Sequence, residues 1–218
     1  MRPFLDLAAA DDPPLDELAL SIAAEFRSVD AGAVLGWLDA LGVELTEALR
    51  ECSPAPWVQA SALADLLGGQ YGFRGDRQEY DRPENSMLDA VLERRRGLPI
   101  LLSVVYAEVA RRAGVRVLGV GLPGHFVVGH FGTAPPLLID PFAGGGSVEA
   151  SPPAHMLRPW PPQEIAMRML NNLVSSFERR GDLPSALRAA VMRQELPTLP
   201  AQDRQLEAEL RGLRAKLN

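Results

Sequence analysis

The most informative part of the sequence is residues 97–114, which read GLPILLSVVYAEVARRAG. The proline near its start and the glycine at its end are typical of the two boundaries of a helix. Nearly every residue between them is apolar, and only Ser103 and Glu108 interrupt the run before two arginines. A helix that is apolar on all sides lies buried inside a domain. The segment therefore predicts a buried central helix over residues 98–113.

Helices are also predicted on the amino-terminal side of this segment, where apolar residues recur at helical spacing. One of them opens at two consecutive prolines early in the chain. Four more are predicted over residues 31–41, 45–52, 57–67 and 86–95. Gly42 is expected to end the first of these four, and Gly68-Gly69 the third. Asn85 is expected to cap the last.

Three β-rich segments follow the central helix, over residues 115–121, 125–131 and 136–140. The short connections between them predict antiparallel pairing. After a Gly- and Pro-rich loop at residues 141–153, amphipathic helices are predicted over residues 163–180, 184–193 and 201–217.

The expected fold class is therefore α+β. It has a helical N-terminal half, a buried central helix packed on a small antiparallel sheet, and C-terminal helices. We predict that residues 1–160 form one domain and that residues 161–218 form a C-terminal helical region.

The composition excludes several classes of function. The 218 residues include 22 basic and 28 acidic side chains, for a formal net charge of −6. Such a chain is a poor candidate for sequence-independent nucleic-acid binding, which depends on neutralising phosphates. No apolar run approaches the ~20 residues that span a bilayer, and no signal-peptide pattern is evident. The single cysteine, Cys52, excludes an internal disulfide and a Cys-rich zinc site.

These features predict a cytoplasmic protein without nucleic-acid or membrane partners. No cofactor and no metal are implied by the sequence. The oligomeric state is left open.

Two residues are the main candidates for chemistry, because each lies where a predicted strand meets a loop. His125 follows Pro123-Gly124, and Asp140 precedes Pro141. Neighbouring antiparallel strands would bring this imidazole beside this carboxylate, which would fix the ring tautomer. Such a pair usually serves a nucleophile at a helix N-terminus, and the central helix is the natural platform for it. Asp140 has an alternative role as a turn former before the proline.

Several short motifs occur together between about residues 60 and 150. They are Tyr71-Gly72-Phe73, Tyr80-Asp81, Asn85-Ser86-Met87-Leu88, residues 95–103, Pro123-Gly124-His125-Phe126 and Ile139-Asp140-Pro141-Phe142. This combination resembles the SirB-type branch of the transglutaminase-like, papain-related superfamily. The resemblance implies a transglutaminase-like core and a C-terminal region that is tetratricopeptide-like. In this chain that region would be shortened to a helical hairpin plus one helix.

The sequence departs from the superfamily pattern at its most important position. The resemblance places a catalytic cysteine where this chain has Pro99. Proline carries no nucleophile, although it suits the first turn of a helix. Ser103 lies one turn further along the same face, ~6 Å away along the axis. It is either a replacement nucleophile or a serine bonded to the carbonyl four residues earlier.

Three hypotheses for function follow. The leading one is a non-catalytic scaffold that binds a protein or peptide partner in the cleft. The residues expected to form its binding site are Asn85, Arg96, Pro99, Tyr106 and Phe126. The alternative is a hydrolase or acyltransferase that uses Ser103, His125 and Asp140. The third is a purely structural core whose terminal helices form a partner interface.

Arginines 94–96 are expected to complement the dipole of the preceding helix or to form an anion site beside the cleft.

Overall fold

The computed structural model describes residues 1–148 and 152–217, which form nine α-helices, a four-stranded sheet and a two-stranded sheet. The helices are α1 (Phe4–Ala8), α2 (Leu15–Ala24), α3 (Ala31–Leu49), α4 (Pro56–Ala64), α5 (Leu88–Arg94), α6 (Pro99–Arg112), α7 (Pro162–Arg179), α8 (Leu183–Arg193) and α9 (Pro200–Leu217). The strands are β1 (Arg74–Gly75), β2 (Arg96–Gly97), β3 (Val117–Leu122), β4 (His125–His130), β5 (Leu137–Asp140) and β6 (Gly146–Ser147). A π-helix spans Asp65–Gln70, and 3-10 turns span Pro83–Ser86 and Ala154–Met156. Part of the predicted loop (residues 149–151) and residue 218 lie outside the described residues.

Helix α6 is the centre of the structure, as its apolar sequence predicts. Every residue from Pro99 to Ala110 is buried. The helix packs against α3 on one side and against β3 and β4 on the other. Burial of a large apolar side chain stabilises a fold by roughly 1.5–3 kcal/mol. This helix therefore contributes more to the core than any amphipathic helix of similar length.

The sheet confirms the predicted α+β class. Strands β3, β4, β5 and β6 pair in that order, and each pair is antiparallel. Three of them match the predicted strands to within two residues. The fourth, β6, comes from within the predicted loop, where Gly146 pairs with Asp140.

The prediction that Gly42 ends a helix is wrong. Helix α3 continues through this position to Leu49, so the two short helices predicted here are one. A Cβ atom at Gly42 would overlap the side chain of Arg112 on α6. The glycine therefore allows two helices to approach closely, and it does not end either of them.

Gly68 and Gly69 also do not end a helix. The chain passes through both as a π-helix that continues α4 to Gln70. A Cβ atom at Gly68 would overlap the backbone carbonyl of Gly144, which lies in the loop after β5. A glycine at this position allows that loop to lie directly on the π-helix.

A buried ion network joins α2, α3 and α6. The guanidinium of Arg112 donates to Asp16 at 2.6 Å, to Glu108 at 2.7 Å and to Asp39 at 2.6 Å. The side chains of Asp16 and Glu108 are each 4% exposed, so water cannot solvate their negative charges and the arginines must compensate them. Burial alone would raise the pKa of Asp16, but the hydrogen bond and charge of Arg112 outweigh it and hold that pKa below its ordinary value.

Stability is expected to depend on pH through His130, which is buried at the end of β4. Its Nδ1 accepts from the Gly132 amide at 3.1 Å, so its Nε2 carries the proton and donates to Gln59 at 2.8 Å. Burial lowers the pKa of His130, and a second ring proton would face the amide donor. The pKa of an ordinary histidine is about 6.5. The stability that neutral His130 contributes is therefore present above that pH, and it is lost as the pH falls through the lower pKa of His130 in the folded protein.

We expect the thermal unfolding midpoint to fall between about pH 7 and pH 5, and part of this fall to disappear in His130→Gln. The control is His155→Gln, which changes an exposed histidine. Identical pH profiles for wild type and His130→Gln would contradict the prediction.

The three C-terminal helices match their predicted positions to within one residue. They pack in chain order, α7 on α8 and α8 on α9. Trp160, just before α7, packs its indole on Gly121 of β3, and its ring lies 5.4 Å from that of Phe126. Apolar residues of α7 belong to the same core cluster as those of α6. The division into two regions at residue 160 remains a prediction.

Within residues 1–148 and 152–217, no helix combines the length and apolar character needed to cross a bilayer.

Candidate functional site

The structure brings the two main candidates for chemistry into contact. His125 is the first residue of β4 and pairs with Leu122 across a two-residue turn. Asp140 is the last residue of the neighbouring strand β5. The imidazole Nε2 and the carboxylate Oδ2 lie 2.9 Å apart. The predicted juxtaposition of imidazole and carboxylate is therefore present.

The carboxylate of Asp140 has two roles at once. Its Oδ2 faces His125, while its Oδ1 accepts from the backbone amides of Phe142 at 2.9 Å and Ala143 at 3.3 Å. The second set of bonds is the Asx turn predicted as the alternative role. The turn fixes the direction of the carboxylate and thereby holds the ring of His125.

The imidazole retains one free nitrogen. Since Nε2 faces the carboxylate, Nδ1 is the other ring nitrogen, and it has no hydrogen-bond partner in the described part of the chain. The side chain is 32% exposed, and the ring of Phe142 meets its ring at 6.3 Å and 89°. An imidazole held by a carboxylate in this way can accept a proton or donate one to a ligand.

Among the described residues, neither the hydroxyl of Ser103 nor the thiol of Cys52 forms a hydrogen bond to this ring. Pro99 occupies the first turn of α6 and has no reactive side-chain atom. The hydroxyl of Ser103 is buried and has no hydrogen-bond partner among the described residues, so it bonds neither to His125 nor to the carbonyl of Pro99. The predicted bond to that carbonyl is therefore wrong. The thiol of Cys52, which follows α3, donates to the backbone carbonyl of Ala48 in that helix.

The predicted binding residues fall into two groups. Pro99, Tyr106, Phe126 and Asn85 are buried in the core, whereas Arg96 is half-buried and lines an open cleft. The binding role of all five stays a prediction.

The buried hydroxyl of Tyr106 lies beneath the loop that follows Asp140. It has no partner among the described residues. Burial and the negative charge of Asp140 both raise the pKa of Tyr106. The phenol therefore stays protonated at neutral pH.

Asn85 does not cap a helix, contrary to the prediction. Its amide donates to the backbone carbonyl of Glu79 at 2.7 Å and accepts from Arg94 at 2.8 Å. Helix α5 begins at Leu88, and its N-cap residue is Met87, which provides no side-chain cap. Asn85 thus connects the segment before α5 to the end of that helix.

A cleft of about 700 Å³ lies beside the His125–Asp140 pair and was not predicted in full. We call it the arginine cleft, after the four arginines in its lining: Arg74, Arg77, Arg94 and Arg96. Phe142 links it to the pair, because its ring packs on Gly75 and against His125. The signal in the sequence was a pair of arginines, Arg74 and Arg77, on either side of Gly75.

Among residues 1–148 and 152–217, no three His, Cys, Asp or Glu side chains are grouped so as to hold a metal ion.

Comparisons with known proteins identify the family. A model described as the transglutaminase-like superfamily matches residues 32–171. A UPF0162 protein of Xylella fastidiosa strain Temecula1 is 34% identical over 206 residues, which cover 85% of this chain and 73% of that protein. A UPF0162 protein of Pseudomonas aeruginosa is 31% identical over 225 residues, covering 94% and 80%.

A shorter match is found in mouse F-box only protein 21, which is 39% identical over 67 residues, or 31% of this chain and 11% of that protein. No solved structure is significantly similar to the chain. The family match covers the central helix, the sheet and the His125–Asp140 pair. The chain therefore belongs to the transglutaminase-like superfamily.

Proposed function

We propose that this protein is a non-catalytic member of the superfamily, of the SirB type, that binds a protein or peptide at the face carrying His125 and Asp140. The observation that carries the proposal is Pro99 at the start of α6, where the resemblance places a cysteine. Without a thiol there, the usual attack on an acyl group has no nucleophile. The imidazole and carboxylate are then hydrogen-bonding groups for a ligand.

The exposure of the pair supports a binding role. His125 is 32% exposed and its Nδ1 is unpaired among the described residues. Phe142, half-buried at the same edge, adds apolar surface beside a polar group. Aromatic surface next to a few fixed polar groups is typical of binding sites.

The C-terminal helices belong to the same proposal. We propose that α7, α8 and α9 form a tetratricopeptide-like region, since they pack on one another in chain order. A cytoplasmic location is part of the proposal and rests on the single cysteine of the chain.

A hydrolase or acyltransferase that uses Ser103, His125 and Asp140 is the second candidate. One observation favours it: the carboxylate holds the imidazole as a general base requires, with Nδ1 open. Against it, the hydroxyl of Ser103 is buried and makes no hydrogen bond to the ring. Labelling of wild-type protein but not of Ser103→Ala by a fluorophosphonate probe would establish this candidate and overturn the binding proposal.

The binding proposal is tested with peptides selected from a displayed library against the wild-type protein. We expect His125→Ala to weaken binding of the selected peptides at least tenfold, which is about 1.4 kcal/mol. The measurement is fluorescence polarisation with a labelled peptide. His155→Ala, which removes an exposed histidine outside the site, is the control and should bind as wild type. Unchanged affinity in His125→Ala for every selected peptide would refute a binding role for this face.

A further inference from the structure

The arginine cleft holds more positive charge than its carboxylates neutralise. Its lining contains four arginines and two acidic residues. Asp76 is already bonded to Arg94 at 2.7 Å, and Glu79 is bonded to Arg82 at 2.8 Å, an arginine outside the lining. The lining therefore keeps a net positive charge within a chain that is acidic as a whole.

Three of the arginines have no carboxylate partner among the described residues. Arg96 donates only to the backbone carbonyls of Gly72 and Arg95, both at 2.9 Å. The guanidinium of Arg77 lies over the ring of Phe142, 5.7 Å from its centre. Arg74 is exposed and forms no ion pair with any described residue. Most of the donors in this cleft are consequently available to a ligand.

The backbone holds two of these charges side by side. Strands β1 and β2 pair in parallel, and their register sets Arg74 directly opposite Arg96. Like charges opposite each other on paired strands destabilise a sheet. Burial and the nearby charges of Arg74 and Arg94 lower the pKa of Arg96. By contrast, the largely buried guanidinium of Arg112 contacts three carboxylates.

We propose that the arginine cleft is an anion site that binds the phosphoryl group of a small phosphate ester. Guanidinium forks match the oxygens of phosphate in geometry as well as in charge. A planar carboxylate is satisfied by one such fork, whereas three unpaired arginines around one cleft suit a tetrahedral dianion. The volume of about 700 Å³ lies within the range of small-molecule sites and leaves room for the esterified group.

This inference goes beyond the function proposed above, because it stands whether or not the His125 face binds a peptide. The ring of Phe142 connects the two sites, since it contacts Arg77 on the cleft side and His125 on the other. A ligand held by its phosphoryl group in the cleft would extend toward the imidazole across this ring.

The test is isothermal titration of the full chain with pyrophosphate as the probe, at low salt. We expect a dissociation constant of about 1 mM or tighter, and Arg74→Gln is expected to weaken it at least fivefold. The double variant Arg74→Gln/Arg96→Gln is expected to abolish binding. The side chain of Arg74 makes no hydrogen bond to the described residues, and its backbone amide bond to Arg95 does not depend on the side chain. We therefore expect its replacement to leave the fold intact, and this is checked by thermal unfolding.

The matched control is Arg50→Gln, which removes the same charge from an exposed ion pair at the C-terminal end of α3. Binding that weakens as much in Arg50→Gln as in Arg74→Gln would show that only the net charge matters and would overturn the proposal. Absence of pyrophosphate binding would overturn it as well. A hexaglutamate peptide that binds more tightly than pyrophosphate would refute the phosphoryl assignment in favour of an acidic peptide.

Discussion

Replacing Arg112 with alanine is expected to lower the free energy of unfolding by about 3–5 kcal/mol, because it leaves two buried carboxylates without their shared partner. Arg112 is the residue that bonds to Asp16, Glu108 and Asp39 together. Arg111 also contacts Asp16 and Glu108, but its side chain is 58% exposed and supplies weaker compensation. The measurement is urea denaturation followed by circular dichroism.

The control for this variant is Arg50→Ala, which breaks an ion pair whose side chains are 67% and 52% exposed. An exposed pair contributes about 0–1 kcal/mol, so little change is expected.

The network also makes stability depend on pH, because the pKa of Asp16 is lowered in the folded protein. The stability that the Asp16 carboxylate contributes is present above the ordinary pKa of an aspartate, and it is lost as the pH falls through the pKa of Asp16 in the folded protein. Arg112→Ala should therefore lose part of the acid sensitivity of the wild type. A loss below about 1 kcal/mol in Arg112→Ala would contradict this account.

Gly68→Ala is expected to destabilise the protein by about 1–3 kcal/mol, which is typical of an added methyl group that has no room. The new Cβ atom would overlap the carbonyl of Gly144, a backbone atom that cannot rotate away. The loop that must move begins at Asp140, so we also expect the His125–Asp140 contact to lengthen. Urea denaturation reports the first effect, and the chemical shifts of the His125 ring report the second.

The neighbouring residue offers a close control. A Cβ atom at Gly69 would meet no other atom within 4 Å, and alanine is favoured over glycine in helical segments by roughly 0.5–1 kcal/mol. Gly69→Ala should consequently be neutral or slightly stabilising and should leave the His125 ring signals unchanged. Equal effects of the two substitutions would show that the contact of Gly68 with the loop is not the cause.

Much of the fold could be predicted from the sequence because its signals are local. The apolar run of α6 and the alternation of short strands with turn residues depend only on neighbouring positions. The His125–Asp140 contact could also be predicted, since both residues lie at the ends of adjacent strands.

The roles of the glycines, and the contribution of Arg74 and Arg77 to the arginine cleft, could not be predicted in the same way. Gly42 and Gly68 look like helix ends in the sequence, but each is small because a distant segment passes close to it. The cleft depends on the parallel pairing of Arg74 with Arg96, two residues that are far apart in the chain. Long-range register of this kind leaves no local pattern.

The packing of Trp160 on β3 has a mechanical consequence. Its amide donates to Gly119 at 2.9 Å, and its indole covers Gly121 in the β3–β4 hairpin, whose second strand begins at His125. A force that pulls on the C-terminal helices would therefore act on this hairpin, in addition to the contacts that α7 makes with α2, α6 and the 3-10 turn at Pro83–Ser86.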